Sequence, residues 1–308
     1  MLTNFFASSK PIQTIVALIY MMLAYGIYNR STIAEGATIQ EWGLILVGLL
    51  LYLLGLLLYG FIVRKNELTG RSSYALILFA CFTATIPGIL QSPKMLCAGF
   101  VVLLAFRRII SLKSGVVIER KLYDASVLLT IVCLFYFWSF GFFLLLFLSI
   151  FLYAREQLRF WFIPFLGVIT VLLFLWCYAL YTSDNYTYVL TIVDDISFDF
   201  RAYSKRDLYI GTSILLSIGL WCLGPYVRQK QNAVFSQRGL YVIILTALGT
   251  AVLPILFVSE KTGAAWYFFI LPLAIIACNY IEYTKVILLK EAFLWISLLL
   301  PILIMVIS

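Results

Sequence analysis

Residues 42–63 read WGLILVGLLLYLLGLLLYGFIV and carry no charge. As a helix rising about 1.5 Å per residue, the run is about 33 Å long, enough for the roughly 30 Å hydrocarbon core of a bilayer. Its flanks are polar, with Glu41 before it and Arg64 and Lys65 after it. Gly48 and Gly55 lie one heptad apart, and small residues at such spacing let helices approach closely. We read them as a packing face.

The remainder of the chain extends this reading. Charge-poor apolar runs give eleven candidate spans: 12–27, 42–63, 73–90, 95–106, 122–138, 142–153, 160–182, 208–226, 240–258, 265–283 and 292–307. The expected fold is therefore all-α, a polytopic transmembrane helix bundle occupying 1–308 as one integral-membrane unit. Of the 308 residues, 64% are hydrophobic and 12% charged, against about 45–50% apolar and 25% charged in soluble domains. So little charge does not cover a water-soluble globule, which excludes a cytosolic enzyme and a disordered chain.

What is missing narrows the chemistry. The sequence has no histidine, which removes the commonest general base and metal ligand. Six cysteines (Cys81, Cys97, Cys133, Cys177, Cys222 and Cys278) sit inside apolar runs without a CxxC pair. They read as buried packing residues rather than a disulfide framework. There is no Walker A loop, GxGxxG, HExxH or EF-hand loop. The net charge of +8 falls in short clusters between apolar runs, the membrane pattern rather than a nucleic-acid surface.

The cations orient the chain. With the N-terminus inside, inner segments hold 16 of 22 Lys and Arg and outer segments 6, as the positive-inside bias requires. The C-terminus is then outside. Residues 122–153 hold only Asp124 as a charge; as one helix they would run about 48 Å, so a hairpin broken near Ser139-Phe140-Gly141 is expected. The first run follows a single Lys and has no convincing cleavage site, and reads as a retained helix. Trp42, Tyr59, Tyr74, Trp138, Tyr153, Trp161, Tyr181, Tyr226 and Tyr283 fall near proposed span ends, where aromatic belts form. Ionisable groups in mid-membrane are the usual pointer to function. Here Asp124 and Glu282 stand near ends, and Asn279, Thr170, Thr250 and Ser217 are the polar residues expected to lie deep.

Chemistry is therefore expected at the outer face. The longest outer loop, 183–207, carries Asp184, Asp194, Asp195, Asp199, Arg201, Lys205, Arg206 and Asp207. From Ile196 to Tyr203 apolar and polar residues alternate, which suits a short strand or an interfacial segment. Asp194, Asp195 and Asp199 with Glu35 of loop 28–41 are the candidate catalytic or metal-ligating carboxylates. Arg201, Lys205 and Arg206 are the candidate phosphate-binding cations. No cofactor is evident, and a divalent cation is the one such group the carboxylates would suit. Loop 259–264, with Glu260 and Lys261, is expected to join them. On the inner side, the basic segment 107–121 (RRIISLKSGVVIERK) mixes five cations with apolar residues, like an interfacial segment on anionic lipid.

The opening Phe5-Phe6-Ala7-Ser8-Ser9-Lys10-Pro11-Ile12 runs straight into a span, and Thr262-Gly263-Ala264-Ala265-Trp266-Tyr267-Phe268-Phe269-Ile270-Leu271-Pro272-Leu273-Ala274 is followed by Asn279-Tyr280. With the length and span count, these resemble an uncharacterised family of multi-pass inner-membrane proteins from Bacteroidota. The resemblance covers the whole chain. It implies a bacterial inner membrane and a cell-envelope setting, and brings no catalytic residues. The layout is also distantly similar to polyprenyl-linked sugar transferases and O-antigen-type polymerases. It departs from them in its short loop 28–41 and in having only Arg201 and Arg206 where the polymerases have an Arg-rich late outer loop. Three functions follow as expectations: handling a polyprenyl-phosphate-linked glycan at the outer face; a non-enzymatic subunit of an envelope complex with a membrane-protein partner; or a carrier or flippase with a central polar cavity.

Overall fold

The computed structural model describes residues 1–30, 33, 38–155, 157–183, 194–232 and 235–307. Among these the regular structure is helical. In chain order the helices are α1 (Leu2–Phe6), α2 (Pro11–Tyr28), α3 (Ile39–Lys65), α4 (Tyr74–Ala84), α5 (Pro87–Leu90), α6 (Pro93–Ile110), α7 (Ile118–Phe135), α8 (Phe142–Tyr153), α9 (Arg159–Ser183), α10 (Arg206–Asn232), α11 (Phe235–Thr250), α12 (Val252–Phe257), α13 (Trp266–Tyr283) and α14 (Ile287–Ile307).

Local signals set the ends. Pro11 and Pro93 open α2 and α6 at the position where a missing N–H costs nothing. Gln13 reaches back to accept from the Lys10 N–H at 2.6 Å. Thr38 and Glu41 cap each other at the start of α3, with the Thr38 N–H donating to Glu41 at 2.7 Å. Arg64 and Lys65 close α3, and Arg107 and Arg108 close α6, where cations suit the negative helix end.

Each of the eleven apolar runs contains helix, but they are not equivalent. Eight helical stretches among the described residues are long and apolar enough to cross a membrane. The runs at 73–90, 122–138 and 142–153 differ. Helix α4 has 11 residues, and the chain breaks at Thr85-Ile86 before Pro87. Helix α7 carries Glu119, Arg120, Lys121 and Asp124 in its first turns. Helix α8 has 12 residues. The short run 95–106, by contrast, is the middle of a longer helix, because Lys94 and Arg107 lie within α6 rather than bounding it.

Residues 122–153 form two helices. A 3-10 turn at Phe137–Gly141 separates α7 from α8. The end of α8 returns beside the start of α7: Gly115, Ile118, Tyr153 and Arg155 share one cavity, and Arg159 pairs with Glu119 at 3.0 Å.

At the centre, all eleven residues of α4 and nearly all of α13 are buried, and the two helices pack on each other. The Tyr59 ring stacks on Phe79 at 4.5 Å between centroids. The Tyr52 and Thr83 hydroxyls hydrogen-bond at 2.7 Å. Gly48 does serve packing: a Cβ there would lie 2.6 Å from the Tyr25 hydroxyl, which donates to the Ile45 carbonyl at 3.0 Å. The aromatic residues near span ends divide. Tyr181, Tyr283 and Trp42 are exposed, whereas Tyr59, Tyr74 and Tyr226 are core residues; a tyrosine with a carbonyl in reach can bury its hydroxyl, as Tyr59 does on Leu271 and Tyr74 on Thr3.

The connecting segments gather into two sets. In the first, Tyr74 donates to the Thr3 carbonyl at 2.8 Å, the Gly70 N–H to Glu282 at 2.7 Å, Asn279 to the Leu68 carbonyl at 3.0 Å, and Arg108 pairs with Asp124 at 3.0 Å. In the second, Gln91 donates to the Tyr28 carbonyl at 3.3 Å, Trp266 to the Tyr203 hydroxyl at 3.1 Å, and the Ser259 N–H to Asp194 at 3.1 Å. The first set unites the segments read as inner, the second those read as outer.

Candidate functional site

Within the second set lies a cavity of about 420 Å³, inside the size range of ligand pockets. Four separate stretches build it: the α5–α6 turn with Gln91, Ser92 and Lys94; Tyr136 at the end of α7; Lys205 and Asp207 at the start of α10; and Glu260, Lys261 and Thr262 before α13. The α5–α6 turn exists because the apolar run is cut by Ile86-Pro87-Gly88 and again by Ser92-Pro93. Pro87 and Pro93 each open a helix, and the Ser92 hydroxyl accepts from the Met95 N–H at 3.2 Å. Gly88 makes the turn fit. A Cβ on it would stand 2.0 Å from the Thr262 carbonyl oxygen, so the two backbones are in direct contact.

Lys261 is the least ordinary group in the cavity. It is only 5% exposed. Its ammonium donates to the Ile255 carbonyl at 3.3 Å and to that of Leu256, at the C-terminal end of α12, and sits 4.8 Å from the centroid of the Phe200 ring. Carbonyls at a helix C-terminus and an aromatic face are both places where a cation is stabilised. Burial still pulls its pKa below the ordinary lysine range, with Asp194 acting in the opposite direction. Lys94 likewise lies over an aromatic ring, 5.1 Å from the centroid of Tyr136. Among the described residues no ion pair joins the cavity's lysines to Asp207 or Glu260. The lining therefore offers three ammonium groups, two carboxylates and the neutral polar groups of Gln91, Ser92, Tyr136 and Thr262. Chemically, such a set holds the donors and acceptors that a phosphate-bearing ligand with hydroxyls would need.

Of the residues expected from the sequence, Lys205 lines this cavity. Asp194 binds Ser259, through its N–H at 3.1 Å and its hydroxyl at 2.6 Å, and so ties the long loop to the segment before α13. Asp199 caps the turn that follows it, accepting from the Arg201 N–H at 3.0 Å, with the Arg201 guanidinium 3.8 Å away and 93% exposed. Asp195 and Arg206 are exposed. Glu35 lies outside the described residues. No group of three or more metal-ligating side chains occurs among the described residues. The stretch 194–200 forms no strand; it lies on the bundle as an irregular segment, with the Ser197 N–H donating to Phe257 at 3.3 Å and Phe198 edge-on to Phe257.

Lys94, Asp207, Glu260 and Lys261 were visible as loop charges, but nothing in the sequence separates a buried lysine from a solvated one. The Pro-Gly and Ser-Pro breaks at 87–93 were the available signal for a built turn. The deep polar groups expected of a carrier are bonded within the bundle: Asn279 donates to the Leu68 and Ile275 carbonyls at 3.0 and 2.9 Å, and Thr250 to Ala247 at 3.1 Å.

Residues 8–307 match the family described as "Family of unknown function (DUF6427)", and the chain belongs to that family. No curated protein and no solved structure matches it.

Proposed function

We propose that this member of the DUF6427 family is a multi-pass protein of a bacterial inner membrane. It crosses the bilayer eleven times, N-terminus inside and C-terminus outside, and binds a polyprenyl-phosphate-linked glycan at the outer face. The 16-to-6 division of cations and the gathering of the connecting segments into two sets support the threading. The observation that carries the ligand is the convergence of Lys94, Lys205 and Lys261 on one cavity with Asp207 and Glu260.

Lys94 and Lys205 bind the phosphate as charges with rotatable donors, and Lys261, held by helix carbonyls, supplies fixed positive potential. Glu260 and Asp207 accept hydrogen bonds from glycan hydroxyls, the placement a general base requires if the glycan is transferred.

The test is binding of polyprenyl phosphate and of the dephosphorylated polyprenol to the detergent-purified protein, by native mass spectrometry. The expected result is preference for the phosphate, with Lys94→Gln/Lys205→Gln weakening it about tenfold or more per lysine. A strain carrying that double variant at normal protein levels should show altered envelope glycans. Equal binding of the two lipids, or unchanged binding by the variant, overturns the proposal.

A second reading, a subunit of a larger membrane complex, rests on α9. This helix packs chiefly on α7 and leaves Phe162, Phe165, Phe174 and Trp176 exposed. A photo-crosslinker at Trp176 that captured one protein rather than lipid would favour it.

A further inference from the structure

The first set of connecting segments holds a second site, built from cations rather than from mixed charge. A cavity of about 470 Å³ lies between the ends of α3 and α6 and the start of α7, lined by Lys65, Arg107, Arg108, Lys113 and Lys121, with Glu67 as the one carboxylate. Arg108 is partly neutralised by Asp124 at 3.0 Å. Among the described residues no carboxylate is within ion-pair distance of the other four cations.

Contacts fix four of these five cations, and Lys113 is exposed. Lys121 donates to the Ser111 carbonyl at 2.8 Å and the Ser114 hydroxyl at 2.7 Å. Its pKa is lowered by burial first and then by repulsion from Arg108 and Lys65. Two cations share one aromatic ring: the Lys65 ammonium is 5.3 Å and the Arg107 guanidinium 4.8 Å from the centroid of Phe61. Like charges gathered in this way are stabilised by an anion between them.

Beside the cationic cavity runs an apolar groove of about 450 Å³. It is lined by Leu56, Leu57, Gly60, Phe61 and Leu76, with Thr14, Arg64 and again Lys65 as its polar members. Lys65 therefore belongs to both places, and Phe61 of the groove carries on its ring the Arg107 guanidinium of the cationic cavity: a positive cavity opens beside a slot of largely hydrocarbon character within the spanning part of α3.

We propose that this pair of cavities is a binding site for one anionic phospholipid, its phosphate headgroup among Lys65, Arg107, Lys113 and Lys121 and one acyl chain in the groove along Leu57 and Phe61. The groove selects a lipid over a free anion, and the excess of positive charge selects an anionic lipid over a zwitterionic one. The site is separate from the glycan cavity and does not depend on which face of the membrane it occupies.

The test uses the full chain, delipidated in mild detergent, with phosphatidylglycerol, phosphatidylcholine and inorganic phosphate as probes, read by native mass spectrometry. One phosphatidylglycerol should be retained per chain, phosphatidylcholine should not, and millimolar phosphate should not displace the lipid. Lys65→Gln/Arg107→Gln should weaken retention roughly 30-fold, and exposed Lys113→Gln alone about fivefold, keeping the test open if the double variant fails to fold. Phe61→Ala should weaken the lipid too, whereas Lys94→Gln/Lys205→Gln should leave it unchanged. Equal retention of phosphatidylcholine, displacement by inorganic phosphate, or retention unaffected by the first two variants overturns the inference; loss in the Lys94/Lys205 variant alone overturns it while leaving the glycan proposal standing.

Discussion

Replacing Gly88 by alanine sets helix propensity against packing. In a helix, glycine is less favourable than alanine by about 1 kcal/mol, so propensity alone predicts a more stable protein. The contact geometry predicts the opposite. The new Cβ would stand 2.0 Å from the Thr262 carbonyl oxygen and 3.0 Å from its carbonyl carbon. A tolerable carbon–oxygen contact is about 3.3 Å, so the two backbones must part by about 1.3 Å. Neither partner is a side-chain tip that can swing away. Overpacking of this kind costs about 1–3 kcal/mol, and a backbone partner places it at the upper end. After the propensity gain, the net destabilisation is about 2 kcal/mol. The same displacement moves Thr262 and the neighbouring Lys261 off their places in the cavity, so under the proposed function polyprenyl-phosphate binding should fall as well. The assay is the midpoint of SDS-induced unfolding in mixed micelles, with Gly26→Ala as control, because a Cβ at Gly26 meets nothing within 4 Å. The control should be neutral or stabilised by up to about 1 kcal/mol. A Gly88→Ala protein as stable as that control, with ligand binding intact, would refute the contact on which the cavity is built.

Three further outcomes can be measured. Burial lowers the Lys261 pKa below the ordinary lysine value of 10.5, against the pull of Asp194; the unfolded chain then holds that proton to higher pH than the folded one, so stability should rise with pH through the interval just below 10.5. Lys261→Met should remove that slope in an alkaline series of unfolding midpoints; an unchanged slope assigns it elsewhere. Tyr52→Phe should cost only about 1 kcal/mol, because Thr83 keeps its bonds to the Phe79 and Ala80 carbonyls at 2.8 and 3.1 Å and is not orphaned; a loss above about 3 kcal/mol would mean that the hydroxyl pair organises more than itself. In intact cells, an impermeant maleimide should reach a cysteine placed at Lys205 and not one placed at Lys113, and the reverse pattern would invert the threading.

Helices were legible wherever the apolar run was long, because in hydrocarbon a chain must satisfy its own backbone and helix is the way a single segment does so. Their limits were less legible. Reading to the nearest charge shortened α6 to 95–106, since Lys94 and Arg107 look like boundaries; both are tolerated inside the helix because its ends reach polar surroundings and long cations extend along apolar surface. The same rule counted α4 as an ordinary span although the α4 helix has only 11 residues. A wholly buried helix needs no lipid-facing length, and hydropathy does not distinguish protein from lipid as its surroundings.

The candidate site was half legible for a related reason. Asp194, Asp195, Asp199 and Arg201 attracted notice by crowding in sequence. An irregular segment spreads such neighbours apart, and Asp199 and Arg201 spend their charge on each other at the surface. The cavity instead draws one or two residues from each of four distant stretches, none conspicuous alone. Lys261 shows what sequence cannot encode locally. A lysine next to Glu260 in a short loop reads as solvated, yet the fold sets α12 to end beneath it and Phe200 beside it. Two carbonyls and a ring then do what water would otherwise do for the ammonium. Among the described residues no carboxylate is within ion-pair distance of this buried cation, and Asp194 acts on it only from farther away, so carbonyls and a ring are its contact partners. An ion pair there would neutralise the field, whereas helix carbonyls and a ring hold the ammonium and leave the positive potential available to an anionic ligand.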